Sequence, residues 1–330
     1  MPERVLMVLG TSTGGVGRHV RSLVDRLPYD VVVAGPASTI RVFGFPAYSA
    51  VEIGSSPHPV RDARALVELR RLAARVDLVH AHGLRAGALA PAAPPLVVSW
   101  HNAQLAGSRI GALLERHVAR RATVTLGASQ DLVDRARACG APDARLVPVA
   151  APALLPTGRD PGLGHPLVLA VGRLHPQKGY DVLLAALPLL PDCTVAVAGD
   201  GPLEASLRAQ APEVQWLGRR DDVADLYAAA DVVVLPSAWE ARSLTAQEAL
   251  RAGRPLVATD VGGIRELVGD GAVLVPPDEP PALAEAVREL LDDPAYAAAV
   301  AERGRAVAAT WPDEQGSADQ VAAVYRELLG

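Results

Sequence analysis

Residues 236–263 read PSAWEARSLTAQEALRAGRPLVATDVGG, and their reading decides the fold. The residues just before them, Asp231–Leu235 (DVVVL), form an apolar run of the kind found in parallel strands buried on both faces. Pro236 and Ser237 stop that strand. Ser243 is placed to cap a helix over Leu244–Arg251, and Gly253 to close it. Pro255–Thr259 reads as the next strand. The stretch is therefore one βαβ unit. It carries Glu240 on the loop beyond the carboxyl end of its first strand, and Glu248 on the helix eight positions later. Ligands in open α/β sheets bind at that edge.

Working outward, the same alternation fills the chain. Downstream lies a strand at Ala272–Val275, then helices over Pro281–Asp292 and Pro294–Thr310, and a last helical stretch at Val321–Leu329 with Trp311 and Tyr325 as packing anchors. Upstream, strands are expected at Leu167–Val171, Thr194–Ala198 and Val214–Gly218. The first is followed by Gly172-Arg-Leu-His-Pro-Gln-Lys-Gly179, the second by the turn Gly199-Asp-Gly-Pro202, the third by Arg219-Arg-Asp-Asp222. Residues 150–165 (AAPALLPTGRDPGLGH) lack periodicity and read as a linker. Before it, strands are expected at residues 4–10, Val31–Gly35, Leu78–His82, Leu96–His101, Val124–Ala128 and Arg145–Val149. Helices are expected over Arg61–Arg75 and Ser108–Arg121. Strands alternating with helices imply parallel sheets covered on both faces. Three regions follow: residues 1–155, residues 156–310, and a terminal helix, 311–330.

The first strand leads into Thr11-Ser-Thr-Gly-Gly-Val-Gly-Arg-His19 and a helix through Leu27. A strand, a glycine-rich loop and a helix let backbone N–H groups approach phosphate. The loop has neither the Lys-Ser/Thr of a P-loop nor the Gly-x-Gly-x-x-Gly of a dinucleotide fold, which argues against a dinucleotide oxidoreductase. His80, His82 and His101 all end strands. The first two are assigned to opposite faces, one packing into the sheet and the other lining the cleft. A His-x-His metal pair lacks a third ligand nearby.

Composition adds constraints. Residues 1–160 hold 19 Arg against 12 Asp and Glu, a balance of +7; the remainder hold 13 basic and 25 acidic residues, −12, which sums to the net −5. A basic first half suits an anionic partner such as a membrane surface, a phosphorylated acceptor or a nucleotide. Of the 32 basic residues, Lys178 is the only lysine, so that position calls for a compact ammonium rather than a guanidinium. Cys139 and Cys193 lie far apart, which argues for a reducing compartment. No apolar run reaches the ~20 residues of a spanning helix. A soluble cytoplasmic protein is expected, with peripheral membrane contact through the basic half as an option: Arg109, Arg116 and Arg120 share a helix with Ile110, Leu113, Leu114 and Val118.

Taken together, Glu240-x7-Glu248 after Pro-Ser, ALRAGRPLVATDVGG, Gly172-Arg-Leu…Lys178-Gly and Gly14-Gly15-Val…His19-Val resemble the retaining glycosyltransferases of the GT-B type, family 4. The resemblance covers essentially the whole chain. It implies two Rossmann-like, doubly wound parallel-sheet domains facing a cleft, with acceptor mainly on the first and donor nucleotide mainly on the second. It implies a hexose-type sugar transferred with retention from a nucleoside-diphosphate sugar, a UDP-sugar being the expected donor. The acceptor, a sugar, lipid or small molecule, is not identified; no cofactor and no nucleic-acid partner are expected. Arg173 and Lys178 would stabilise the departing diphosphate. Because Asp-x-Asp is absent from the sequence, these two stand in for a divalent ion. Glu240 would face the sugar, Glu248 the ribose hydroxyls, and His101 the sugar or acceptor. Gly14 and Gly15 would face the diphosphate. Arg220 would lie along the base. Arg242, Ser243 and Leu244 would line the donor loop.

One departure stands out. The family usually has a Gly-Phe-Gly-like run after the first glutamate, and here it is Glu240-Ala-Arg-Ser243. Arg242 would read an acidic donor or acceptor, or point to solvent. The same fold also hosts nucleotide-sugar epimerases and phosphorylases, and a non-catalytic nucleotide-sugar sensor would keep the same motifs.

Overall fold

The computed structural model describes residues 2–102, 109–190 and 192–330. The chain divides into two compact units, one formed by Met1–Ala150 with Pro312–Gly330 and the other by Ala151–Trp311.

The first unit holds seven strands: β1 (Arg4–Leu9), β2 (Asp30–Gly35), β3 (Tyr48–Ala50), β4 (Leu78–His82), β5 (Leu96–Trp100), β6 (Val124–Gly127) and β7 (Ala144–Leu146). They lie in the order β3-β2-β1-β4-β5-β6-β7, and every pairing is parallel. The second unit holds β8 (Leu167–Val171), β9 (Thr194–Ala198), β10 (Gln215–Gly218), β11 (Val232–Leu235), β12 (Leu256–Thr259) and β13 (Val273–Val275). Their order is β10-β9-β8-β11-β12-β13, again all parallel. Both sheets are doubly wound. Strand order reverses between β1 and β4 in one and between β8 and β11 in the other, and such a reversal opens a crevice beyond the carboxyl ends of the two strands.

Sequence explains why these strands are central. Val5–Leu9, Leu96–Val98 and Val232–Leu235 are almost wholly apolar and almost wholly buried, because helices cover both faces. Each unit has its own core. That of the first gathers Val5, Met7, Val33, Val97 and Leu126 with Val321, Val324 and Tyr325 from the terminal helix Glu314–Leu329. Asp313 caps that helix by accepting from the Gly316 N–H, and Glu314 accepts from Ser22 at 2.6 Å and pairs with Arg26 at 3.0 Å on the first helix, Gly15–Arg26. The helix begins seven residues earlier than periodicity alone suggests, because Asp313 supplies the cap. In the second unit Val168, Val195 and Val234 face one helical layer, and Leu169, Val233 and Leu256 face the other.

Edges and short elements depart from the sequence reading. His101 falls just outside β5, which ends at Trp100. The helix expected from Ser108 is observed over Arg109–Arg121, and Ser108 lies outside the described residues. The edge strand β3 and the short helices Ala37–Phe43, Leu84–Leu89 and Glu204–Gln210 were not legible as elements, being too short to show a period.

Candidate functional site

In the second unit the crevice between β8 and β11 is walled by the two loops that follow those strands. After β8, Gly172-Arg-Leu leads to a single 3-10 turn, Pro176–Lys178, which His175 caps by accepting from the Gln177 N–H. After β11, residues 236–243 run to the helix Leu244–Arg251. The loops are tied together. Ala238 N–H donates to the Gln177 carbonyl at 2.9 Å, and Gln177 Nε2 donates to the Trp239 carbonyl at 3.0 Å. Gly179 has φ +61°, and a Cβ there would stand 1.9 Å from the Pro236 carbonyl oxygen. Glycine is required at that position twice over, by conformation and by space.

This bracing brings Lys178 against Glu240. The Lys178 ammonium meets Glu240 Oε1 at 2.5 Å, and the Ser237 hydroxyl donates to the same oxygen at 2.7 Å. Glu240 is buried, at 6% exposure. Its backbone carbonyl accepts from Gly263 N–H, and a Cβ on Gly262 (φ +52°) would stand 2.0 Å from that carbonyl. Two carboxylate-facing donors and a glycine pair thus hold one carboxyl group in place. Arg173 is exposed on the neighbouring loop and makes no hydrogen bond or ion pair among the described residues.

Ser243 caps the following helix as its sequence position suggests, accepting from Ala246 N–H at 3.4 Å, and Leu244 opens the helix, half-buried. Glu248, one turn further in, is buried and accepts from the Tyr227 hydroxyl at 3.0 Å. Burial pushes the Tyr227 hydroxyl well above its usual range, with Glu248 adding to the effect, so it stays a donor. Arg220, on the segment after β10, forms a two-pronged pair with Asp222, at 2.7 and 2.5 Å. Arg242 is half-buried rather than turned simply to solvent. Its guanidinium sits 5.8 Å from the centre of the Trp311 ring, with Arg251 at 5.9 Å from the same ring, and burial pushes its pKa down to about 10.

In the first unit, Gly14 precedes the helix that Gly15 begins, and a Cβ on Gly14 would meet nothing within 4 Å. Four residues past Gly15, His19 is buried beside His82 and His101, with ring centres 5.9 and 5.6 Å away. The assignment of His80 and His82 to opposite faces is overturned. Their rings lie 4.1 Å apart, because residues two apart in a strand share a face. His80 shares hydrogen bonds with the Tyr325 hydroxyl (2.6 Å) and Ser99 Oγ (2.7 Å). His82 Nδ1 and His101 Nε2 are 3.1 Å apart. Burial lowers all four histidines: His80 to about 3, His101 to about 4, and His19 and His82 well below the ordinary range. They are neutral imidazoles at pH 7. Among the described residues no group of three His, Cys, Asp or Glu side chains is arranged to hold a metal ion.

Two family descriptions match this chain: "Glycosyltransferase Family 4" over residues 13–153 and "Glycosyl transferases group 1" over residues 165–293. The chain belongs to the GT-B glycosyltransferases of family 4, group 1. Among its curated relatives within that class, alpha-D-kanosaminyltransferase of Streptomyces kanamyceticus is 34% identical over 177 residues, covering 49% of this chain and 46% of that protein. The 2-deoxystreptamine glucosyltransferase of the same organism is 32% identical over 229 residues, covering 64% and 59%. The chain thus spans about half the length of the curated relatives it matches. Among solved structures, Anabaena HepE in complex with UDP-glucose superposes with a TM-score of 0.85 at 22% identity, covering 98% of this chain and 100% of that one.

Sequence reading missed His19, Tyr227, Ser237 and the Arg242–Trp311 contact. Tyr227 and Ser237 touch the two glutamates but sit in ordinary helix and turn contexts. His19 had a visible signal: a histidine four residues past a glycine pair, on the helix face that packs against the sheet.

Proposed function

We propose that this chain is a retaining glycosyltransferase that moves a hexose-type sugar from a nucleoside-diphosphate sugar, with a UDP-sugar as donor, to an acceptor hydroxyl. The observation that carries the reading is the contact between the ammonium of Lys178 and buried Glu240, with Arg173 exposed five residues before Lys178 on the same loop, at the strand-order reversal of the second sheet. The bond from the anomeric carbon to the β-phosphate oxygen breaks, and negative charge grows on the diphosphate. Lys178 and Arg173 receive that charge without a divalent ion. The acceptor oxygen forms the new bond on the face the phosphate leaves, and a phosphate oxygen takes its proton. Glu240 holds a sugar hydroxyl, and Ser237 orients it. Glu248, fixed by Tyr227, accepts from the ribose. His101, neutral at pH 7, serves as a hydrogen-bonding group for the sugar or acceptor. The names of the kanosaminyl- and glucosyltransferase relatives, and the UDP-glucose in the HepE crystal, support this donor class.

A thermal-shift panel of UDP-, GDP-, ADP- and TDP-sugars tests it. Stabilisation is expected with a UDP-sugar, followed by sugar transfer that continues in EDTA. No shift with any of them, or strict metal dependence, contradicts it. A membrane-surface acceptor fits one further observation. Ile110 and Leu113 are 73% and 64% exposed on a helix whose Arg109, Arg116 and Arg120 are also exposed. No helix among the described residues is long and apolar enough to cross a membrane. Flotation with anionic vesicles, against neutral ones, tests surface attachment, and equal failure to bind both rejects it.

A further inference from the structure

We infer that His82 is a positioning residue which fixes the tautomer of His101, so that His101 keeps its proton on Nδ1 and meets its ligand as a hydrogen-bond donor rather than as a base. This rests on the reading of His101 as the histidine that faces sugar or acceptor.

The inference follows from counting protons in the cluster. His80 is fully engaged, with one nitrogen against Tyr325 and the other against Ser99, so it gives nothing to its neighbours. His82 lies between two rings, 4.1 Å from His80 and 5.4 Å from His101, and its plane is within 12° of the latter. Its Nδ1 contacts His101 Nε2 at 3.1 Å. Its Nε2 is buried and has no hydrogen-bond partner among the described residues. Each neutral ring carries one N–H, so the 3.1 Å contact holds a single hydrogen and has two arrangements. If His101 donates, the proton of His82 must sit on Nε2, a buried N–H with nothing to receive it. If His82 donates from Nδ1, its Nε2 is a bare lone pair. Orphaned buried donors are the rarer and more expensive defect. The second arrangement therefore holds. His101 accepts at Nε2, and its own proton is on Nδ1.

The chemical consequence is specific. A δ-protonated His101 steadies a hydroxyl oxygen and cannot remove a proton through that nitrogen. Deprotonation of the acceptor is left to the departing phosphate, which agrees with a front-face displacement. His82 contributes through His101 alone.

Nitrogen NMR of the full chain with labelled histidine, peaks assigned through single His→Gln variants, reads the tautomers directly and needs no substrate. Both His82 and His101 are expected to be protonated at Nδ1 in the wild type. A His101 protonated at Nε2 overturns the inference. Kinetics supply the second arm. His82→Ala, which loses the donor, is expected to lower kcat about tenfold, the value of one hydrogen bond, with donor KM unchanged. His82→Asn, whose amide N–H sits where Nδ1 was, is expected to restore kcat to within about threefold of wild type. Equal kcat in the wild type, His82→Ala and His82→Asn contradicts a positioning role even if the tautomers are as stated. Correct tautomers with no donor turned over by any form of the protein count against the transferase reading instead.

Discussion

The crevice loops of the second sheet hold a charged pair, Lys178 on Glu240, and the segment after β10 holds another, Arg220 on Asp222. The corresponding edge of the first sheet holds four histidines, all neutral and mostly buried. The same strand order thus carries two opposite electrostatic designs. A departing diphosphate needs fixed charge aimed at it. Neutral donors and acceptors can hold an uncharged acceptor without the cost of desolvating a further buried charge. The difference between the two edges is the difference between what each is proposed to hold.

Acid separates them most strongly. The folded-state pKa values of His80 (about 3) and His101 (about 4) lie below the ordinary 6.5. Between those limits the unfolded chain takes up protons that the folded chain refuses. Stability is therefore full above pH 6.5 and falls as pH drops toward 4, by about 1.4 kcal/mol per pH unit for each such imidazole. Neither histidine of the second unit, His165 or His175, is buried. Pulse-labelled hydrogen exchange at pH 7 and pH 4.5 is expected to show β1, β4 and β5 opening while β8 and β11 stay protected. Simultaneous opening of both sheets breaks the contrast.

Next in size, Gly179→Ala strikes the second unit alone. Left-handed φ and overlap with the Pro236 carbonyl together cost about 2–4 kcal/mol. Calorimetry is expected to show a lower melting transition for that unit, and an unchanged profile would mean that the loops are not braced as described. Tyr227→Phe removes one donor from buried Glu248, a loss of about 1.5 kcal/mol, and is expected to raise donor KM with little change in kcat. An unchanged KM would detach Glu248 from the ribose. The smallest effect belongs to Arg242→Ala, about 0.5–1 kcal/mol of lost contact with Trp311. Donor preference should not move; a switch in donor charge would show that Arg242 reads the substrate after all.

The two edges also differ in how far they could be read from sequence. The second was legible because its groups are local: Glu240, Ser243 and Glu248 lie within nine consecutive residues, and Lys178 stands out as the only lysine. Turn and helix chemistry fix such short spacings. The histidine cluster draws on positions 19, 80, 82 and 101, with Tyr325 from the far end of the chain, and no local rule joins them. Only the strand register brings β4 and β5 side by side, with His80 opposite Val97 and His82 opposite Ser99. Arg242 shows the same limit from the other side. Its place on the loop after β11 was readable, but Trp311, whose ring it approaches, is 69 residues away and was legible only as a packing anchor.

The most direct test is the turnover of Lys178→Ala with the donor selected by thermal shift. If an ammonium replaces a divalent ion at the leaving diphosphate, kcat/KM falls by about 2–4 kcal/mol, roughly thirtyfold to a thousandfold, and added magnesium does not restore it. Turnover close to that of the wild type would contradict the account.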